Sequence, residues 1–232
     1  MTHRESYPAR VIEVDLGHCA VREGRIACPP SAVPPAGRYL SACASQEADA
    51  PLATPLFLAQ NAPGGFWAAA PFPPAWIPGT DLLLRGPLGT GFELPAAVTR
   101  LALASLSPSP ARLLPLASAA LDRDCAVTLF TDTPLTGLPS TLEISPLCSL
   151  RESLSWPDLL ALDLPLEGLP GLRSLLGLPA GQPLPCPAQA LLWTPMPCAG
   201  IAECGACAVP SRHGYKLACA DGPVFPLHPL EW

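Results

Sequence analysis

The chain has 232 residues, a formal net charge of −6, 49% hydrophobic residues and 14% charged residues. This composition is typical of a globular protein with a sizeable core and argues against global disorder. The acidic balance and the lack of a basic cluster exclude nucleic acid as an expected partner.

No segment of the sequence indicates export or membrane insertion. The N-terminal segment MTHRESYPARVIEVD carries charges and lacks the apolar region of a secretory signal. Two long uncharged stretches, residues 50–80 and 174–202, are interrupted repeatedly by Pro and Gly, so neither predicts a membrane helix. We therefore expect a cytoplasmic protein with no membrane association.

The pattern of residue types along the chain changes near Val98 and again near residue 194. Residues 1–95 contain short β-type segments separated by Pro and Gly turns, a pattern that predicts a small antiparallel barrel or sandwich. After Val98, strand-like runs alternate with helix-like runs, which predicts a compact parallel α/β unit. The remaining C-terminal segment is rich in turns and contains a group of cysteines.

The ten cysteines fall into two sets. Six are scattered, one to a segment, and in a chain without an export signal we expect them to be buried structural thiols. These six are Cys19, Cys28, Cys43, Cys125, Cys148 and Cys186. The other four are clustered with the spacing Cys-x5-Cys-x2-Cys-x11-Cys, namely Cys198, Cys204, Cys207 and Cys219.

The clustered spacing favours an iron–sulfur site. Plant-type ferredoxins present four thiolates as C-x4-C-x2-C with a distant fourth cysteine, and the first gap here is one residue longer. The loop contains small residues that let backbone N–H groups approach the cluster sulfides, among them Gly200, Ala202, Gly205 and Ala206. A structural zinc site and the absence of any metal remain alternatives, although a four-cysteine zinc site usually pairs two short knuckles.

Other motifs are weaker. The glycine-rich segment GPLGTGF (86–92) by itself predicts only tight turns, because it matches neither a dinucleotide fingerprint nor a P-loop. No catalytic serine elbow or zinc-protease motif is present. Near the cysteines, Arg212, His213 and Lys216 could form a small positive rim for a partner.

Three blocks taken together resemble one family. The blocks are GPLGTGFEL, MPCAGIAECGACAV and YKLACADGPVF. They occur in the same order in the electron-transfer subunit of two-subunit, NAD-dependent dihydroorotate dehydrogenase. The chain resembles a divergent member of this subunit family. The resemblance implies a ferredoxin-reductase-like, multi-domain α+β fold. It also implies a 2Fe–2S cluster on Cys198, Cys204, Cys207 and Cys219, and as partner a catalytic dihydroorotate dehydrogenase-like flavoprotein subunit of pyrimidine biosynthesis.

The resemblance also implies three domains. They are an FAD-binding-like β-barrel (1–96), a degenerate NAD-binding-like α/β domain (97–193) and a 2Fe–2S domain (194–232). The positions that correspond to the family's FAD-binding stretch and phosphate contact are Thr54, Pro55, Phe57, Gly64 and Gly65, although the segment at Gly64 and Gly65 lacks the family's Gly-Thr phosphate contact.

The nucleotide-binding parts depart from the family pattern. Thr54 stands where the family has an arginine, and no hydroxyl follows the proline. The expected glycine-rich turn falls at residues 104–111, which contain no glycine, and Cβ atoms and prolines obstruct a close backbone approach to a nucleotide. FAD binding is therefore left open, and NAD binding is not expected.

The leading hypothesis is a 2Fe–2S electron-transfer subunit that passes electrons between a flavin/NAD(H) system and a partner oxidoreductase. Under this hypothesis the chain has no catalytic residues of its own. A second hypothesis is a complete flavoprotein subunit with non-standard contacts. A third is a structural or docking subunit with a four-cysteine metal site and no nucleotide cofactor.

Overall fold

An antiparallel barrel forms the N-terminal half of the protein. The computed structural model describes residues 6–18, 20–45 and 52–232. Six strands close the barrel in the order β1-β2-β5-β4-β3-β6. Their bounds are β1 (Ser6–Leu16), β2 (Arg22–Ala27), β3 (Tyr39–Ala44), β4 (Thr54–Ala62), β5 (Gly65–Ala68) and β6 (Asp81–Leu88). The predicted antiparallel barrel is confirmed, although β5 is too short to show an alternating pattern in the sequence.

Alternation of buried and exposed positions builds the barrel core. On β6, Leu82 and Leu84 point inward while Leu83 between them is exposed, as the two-residue period of a strand requires. Ile26 and Phe66 from neighbouring strands pack into the same cluster with no exposed surface. The barrel therefore has a hydrophobic core of its own.

The second sheet has six strands in the order β14-β11-β10-β7-β8-β9. The remaining strands are β7 (Arg100–Ser105), β8 (Ala126–Phe130), β9 (Glu143–Ser145), β10 (Leu159–Pro165), β11 (Ala188–Trp193), β12 (Ala208–Ser211), β13 (Gly214–Leu217) and β14 (Val224–Pro226). The helices are α1 (Leu114–Leu121), α2 (Leu150–Ser153) and α3 (Leu172–Leu175). Strands β7 to β11 pair in parallel, which confirms the predicted α/β unit. No helix in the described ranges is long and apolar enough to cross a membrane.

The C-terminal segment is tied into the α/β sheet. Strands β12 and β13 form a separate hairpin, but β14 pairs antiparallel with β11, so it closes one edge of the large sheet. One hydrophobic cluster joins Tyr39 of the barrel, Leu162 of the sheet and Cys219 of the C-terminal segment. The three predicted domain ranges remain predictions, and the large sheet extends beyond residue 194.

The scattered cysteines follow the prediction only in part. Cys28 and Cys125 are buried and Cys186 is half-buried, but Cys43 and Cys148 are exposed, so the expectation of burial is wrong for these two. Cys43 occupies the outward-facing position of β3, and Cys148 lies in a short 3₁₀ turn. Cys19 lies outside the described residues.

A buried carboxyl group makes the barrel sensitive to pH. Glu23 on β2 packs its carboxyl group over Gly17 and is 5% exposed. No described residue donates a hydrogen bond to its Oε1 atom. Burial raises the pKa of Glu23 to about 7, with His18 acting against the shift and Asp15 adding to it. Because the folded state then binds more protons than the unfolded state, this group's contribution to stability is lost as the pH rises from about 4.5 to about 7.

Replacement of Glu23 by glutamine should remove this pH dependence. Near pH 8 the free energy of unfolding of Glu23→Gln should exceed that of the wild type by about 1 kcal/mol, because a neutral amide costs less to bury than a carboxylate. The difference should shrink towards pH 5. Urea denaturation across this range measures it, with Glu13→Gln at an exposed position of β1 as the control. A difference that does not change with pH would contradict the assignment.

Candidate metal centre

Two sequence blocks that are far apart in the chain meet at the base of the C-terminal lobe. The backbone N–H of Thr90, in GPLGTGF, donates to the carbonyl oxygen of Gly222. The Thr90 hydroxyl lies 2.8 Å from the carbonyl oxygen of Val224 and 3.1 Å from that of Asp221. A Cβ atom on Gly89 would lie 2.2 Å from the Gly222 oxygen, so the contact requires glycine there. The glycine-rich segment is thus an anchor for the CADGPVF segment.

A second anchor reaches the lobe from the barrel core. The hydroxyl of the buried Tyr39 donates to the backbone carbonyl of Cys219 at 2.9 Å. Gly200 packs against the same hydroxyl, and a Cβ atom at that position would lie 2.8 Å from it. Gly200 also has a φ of +74°, which a glycine adopts without the strain a Cβ atom brings. Tyr39 therefore holds the cysteine loop and the Cys219 segment at one point.

The backbone of the cysteine loop turns back tightly after Cys198. Ala199, Gly200, Ala202 and Gly205 all have positive φ angles. For an alanine this conformation costs about 1–2 kcal/mol. The N–H of Ile201 donates to the Cys198 carbonyl at 3.1 Å, and the N–H of Ala199 donates to the Met196 carbonyl at 3.3 Å. The loop therefore accommodates local strain in tight turns that keep its backbone close to Cys198.

The contacts around the Cys198 sulfur favour its thiolate form. Partial burial raises its pKa, but hydrogen bonds from the Ala202 N–H, the Cys204 thiol and the N–H groups of Ile201 and Gly200 outweigh burial and lower the pKa to about 6. For Cys219, burial and the neighbouring thiols of Cys207 and Cys198 raise the pKa to about 12. Thiolate is the form that binds metal, so ligation at Cys219 must release a proton.

The four predicted ligands form one connected series. Cys204 contacts Cys198, Cys198 contacts Cys219, and Cys219 contacts Cys207, whose sulfur accepts the Cys219 N–H at 3.4 Å. Cys207 and Cys219 are buried, Cys198 is half-buried and Cys204 is exposed. Three of the five residues between Cys198 and Cys204 have positive φ angles, namely Ala199, Gly200 and Ala202.

The four cysteines supply the donor chemistry of a 2Fe–2S cluster, which distributes four thiolates over two irons. A zinc site needs four ligands around one centre at about 2.3 Å. In the part of the chain that the structure describes, no three or more His, Cys, Asp or Glu side chains form a group that could hold a metal ion. The preference for a two-iron cluster therefore comes from the spacing of the cysteines and from the small residues of the loop.

The five positions that match the family's FAD-binding residues have contacts within the barrel. Thr54 and Pro55 begin β4 and are half-buried, and Phe57 is buried with its ring centroid 6.0 Å from that of Tyr39. Gly64 belongs to the turn between β4 and β5, and a Cβ atom on Gly65 would collide with the Ile26 carbonyl. The assignment of these five residues to FAD binding remains a prediction.

A groove of about 890 Å³ lies between the barrel and α1. Leu58–Asn61 of β4 line one wall and Leu114–Leu121 contribute to the other, but none of the five FAD positions lines it. A second groove of about 600 Å³ lies beside the C-terminal residues and includes Arg212 and Trp232. Neither groove is lined by the four clustered cysteines.

The fold and the cysteine loop together define a class: a ferredoxin-reductase-like protein with a C-terminal iron–sulfur lobe. Residues 195–231 match the iron–sulfur cluster binding domain of dihydroorotate dehydrogenase B. The C-terminal lobe is similar to that domain, which confirms the resemblance that the three sequence blocks indicate. The comparison with curated proteins gives no match.

Solved structures establish the fold of the whole chain. The structure of an NADH-dependent reduced ferredoxin–NADP oxidoreductase, described for flavin-based electron bifurcation, has a TM-score of 0.72 at 18% identity and covers 96% of this chain and 89% of that one. A ferredoxin reductase in carbazole 1,9a-dioxygenase, in its FAD apo form, has a TM-score of 0.57 at 21% identity and covers 76% of this chain and 65% of that one. The predicted ferredoxin-reductase-like architecture is confirmed.

Sequence reasoning missed the residues that anchor the lobe. The sequence gives only a weak indication of Gly89 and Thr90, because the GPLGTGF segment is recognisable but does not predict which residues it contacts. Tyr39 carries none, because its partner is 180 residues further along the chain. Arg212, His213 and Lys216 are all exposed on or beside the hairpin of β12 and β13, as a rim for a partner requires.

Removal of the Tyr39 hydroxyl should loosen the lobe without unfolding the protein. Tyr39→Phe should lower the free energy of unfolding by about 1 kcal/mol, because the ring stays packed while the buried Cys219 carbonyl loses this donor. Urea denaturation measures the change, and Tyr215→Phe at an exposed position is the matched control. Equal losses in the two variants would contradict a specific role for the Tyr39 hydrogen bond.

Proposed function

We propose that the protein is a 2Fe–2S electron-transfer subunit whose cluster is held by Cys198, Cys204, Cys207 and Cys219. The observation that carries the proposal is the match of residues 195–231, which contain all four cysteines, to the iron–sulfur cluster binding domain of dihydroorotate dehydrogenase B. The fold buries Cys207 and Cys219 together, with the Cys219 N–H donating to the Cys207 sulfur at 3.4 Å, and hydrogen bonds to sulfur help to set the potential of an iron–sulfur centre.

A bound 2Fe–2S cluster supplies reversible one-electron transfer. The protein's own residues control access to that centre. Cys207 and Cys219 are buried under Tyr39 and the sheet, which keeps solvent from one side, whereas Cys204 is exposed on the other. Electrons would therefore enter or leave through the Cys204 edge, where another protein can approach closely.

The surface next to that edge supports docking of a redox partner. Ile201 and Tyr215 are large hydrophobic residues with 54% and 77% of their surface exposed. Arg212, His213 and Lys216 are exposed on or beside the same hairpin as Tyr215, on a chain whose overall charge is −6. A partner with an acidic rim and an apolar centre is complementary to this surface. From the C-terminal family match we infer a catalytic dihydroorotate dehydrogenase-like flavoprotein subunit, in the cytoplasm.

The metal content of the isolated protein tests the cluster. Protein purified without oxygen should contain about two irons and two sulfides per chain and show a visible iron–sulfur spectrum. Cys204→Ser should lose most of this absorbance, while Cys148→Ser, at an exposed cysteine outside the loop, should keep it. Zinc in place of iron, with no sulfide, would contradict the proposal.

The same variant separates electron transfer from a purely structural role. The structural alternative has support of its own, because Tyr39, Thr90 and β14 hold the lobe through contacts that involve no metal. The assay measures turnover of the complex with an electron acceptor that is reduced only when this protein is present. If the lobe only docks the catalytic subunit, the complex that contains Cys204→Ser should retain this turnover. If the cluster carries electrons, that turnover should fall by about 100-fold or more.

Partner binding tests the docking surface. Tyr215→Ser should weaken binding to the catalytic subunit by about tenfold or more, because exposed aromatic side chains often dominate interface energies. Surface plasmon resonance with the purified subunits measures the dissociation constant. Leu83→Ser, at a comparably exposed hydrophobic residue on β6, is the control. Unchanged affinity for Tyr215→Ser, or an equal loss for Leu83→Ser, would place the interface elsewhere.

A further inference from the structure

The large sheet has a topological switch point between β7 and β10. The chain leaves β7 towards β8 on one side and later returns to β10 on the other side. In open α/β sheets, ligands bind in the crevice at the carboxyl ends of the two strands that flank such a point. Here Ser105 ends β7, and Asp163 lies near the end of β10 directly beside it in the strand register.

The protein's own side chains fill this crevice. Arg112, which follows the β7 turn, is 4% exposed, and Asp163 is fully buried. The guanidinium donates from Nε to Asp163 Oδ2 at 3.0 Å and from Nη2 to Asp163 Oδ1 at 3.0 Å. Its Nη2 also donates to Ser107 Oγ at 3.0 Å, and that hydroxyl lies 3.3 Å from Asp163 Oδ1. Complete burial raises the pKa of Asp163, and Arg112 and Ser107 act against this shift.

In the turn after β7, several backbone N–H groups that a phosphate group would need are either absent or already hydrogen-bonded within the protein. A nucleotide pyrophosphate binds to free backbone N–H groups at such a strand-to-helix turn. In this turn Pro108 and Pro110 have no N–H. The N–H of Ala111 donates to Ser109 Oγ, and the N–H of Leu113 donates to the Pro110 carbonyl. Pro115 removes another donor at the start of α1.

Arg112 also reaches across to the barrel. Its Nη1 donates to the backbone carbonyl of Ala70 at 2.7 Å, and its guanidinium carbon lies 5.9 Å from the centroid of the Phe57 ring. A single buried side chain therefore bonds to the α/β sheet on one side and to the barrel on the other. A ligand bound in the crevice at the carboxyl ends of β7 and β10 would have to displace these contacts.

We propose that Arg112 is a built-in occupant of the nucleotide crevice. Held by Asp163 and Ser107, it excludes nicotinamide nucleotides from this site and instead bonds the barrel to the sheet. The protein then neither binds nor oxidises NADH or NADPH, and its electrons pass only between protein-bound redox centres. This inference does not depend on the identity of the metal in the C-terminal lobe.

Direct titration tests the exclusion. The purified full-length chain should show no saturable quenching of tryptophan fluorescence and no shift in melting temperature with NADH or NADPH up to about 1 mM, the upper range of ordinary substrate affinities. A ferredoxin reductase known to bind NADH is the positive control under the same conditions. Saturable binding to the wild-type chain would overturn the proposal, whether or not the lobe holds iron.

Hydrogen exchange tests the bridge between barrel and sheet. In Arg112→Lys, which keeps the charge but loses the planar fork, amides around Phe57 and Ala69 should exchange at least about tenfold faster than in the wild type. Arg112→Met with Asp163→Leu removes both charges, avoids an unpaired buried carboxylate and should fold, with the same faster exchange. Arg151→Met, at an exposed arginine on α2, is the control. Unchanged exchange at Phe57 and Ala69 in both Arg112 variants would overturn the bridging role.

Discussion

The position of the candidate metal centre depends on a few backbone carbonyls in the last part of the chain. The carbonyls of Cys219, Gly222 and Val224 accept hydrogen bonds from Tyr39 and Thr90, two residues that belong to the barrel and its exit. The same segment pairs with β11 through β14. Because these contacts are to backbone atoms, they fix the path of the chain rather than the identity of its side chains. The segment that carries Cys219 is thus anchored to both the barrel and the large sheet, and Gly200 of the cysteine loop packs against the same Tyr39 hydroxyl.

The sequence predicts the parts of this protein that rest on local patterns. Alternating residues indicate most barrel strands, continuous apolar runs indicate β10 and β11, and the spacing of the clustered cysteines indicates their shared role. It does not predict β5 and β14, which are three or four residues long and exist because of their partners. Nor does it predict the pairing of Arg112 with Asp163, since nothing local in either residue marks a contact 51 positions away.

The two functional regions of the fold meet at one aromatic ring. The C-terminal lobe is held by Tyr39, Thr90 and β14, whereas the crevice at the switch point is filled by Arg112, Ser107 and Asp163. No described hydrogen bond links the two sets directly, but the Phe57 ring packs against both Tyr39 and Arg112. The barrel therefore connects the cysteine loop to the crevice through packing rather than through hydrogen bonds.

The chemistry of the surface beside Cys204 has a practical consequence. Lys216 is the only lysine of the chain, and it is exposed on β13 opposite Val209, two residues from Cys207. Reagents that acylate primary amines therefore find one side chain on the whole protein, adjacent to the thiol loop. A cross-linker, a fluorophore or a spin label can be attached there without mutagenesis. Apart from the α-amino group of the chain, the protein thus carries one natural amine handle, on the hairpin that follows the cysteine loop.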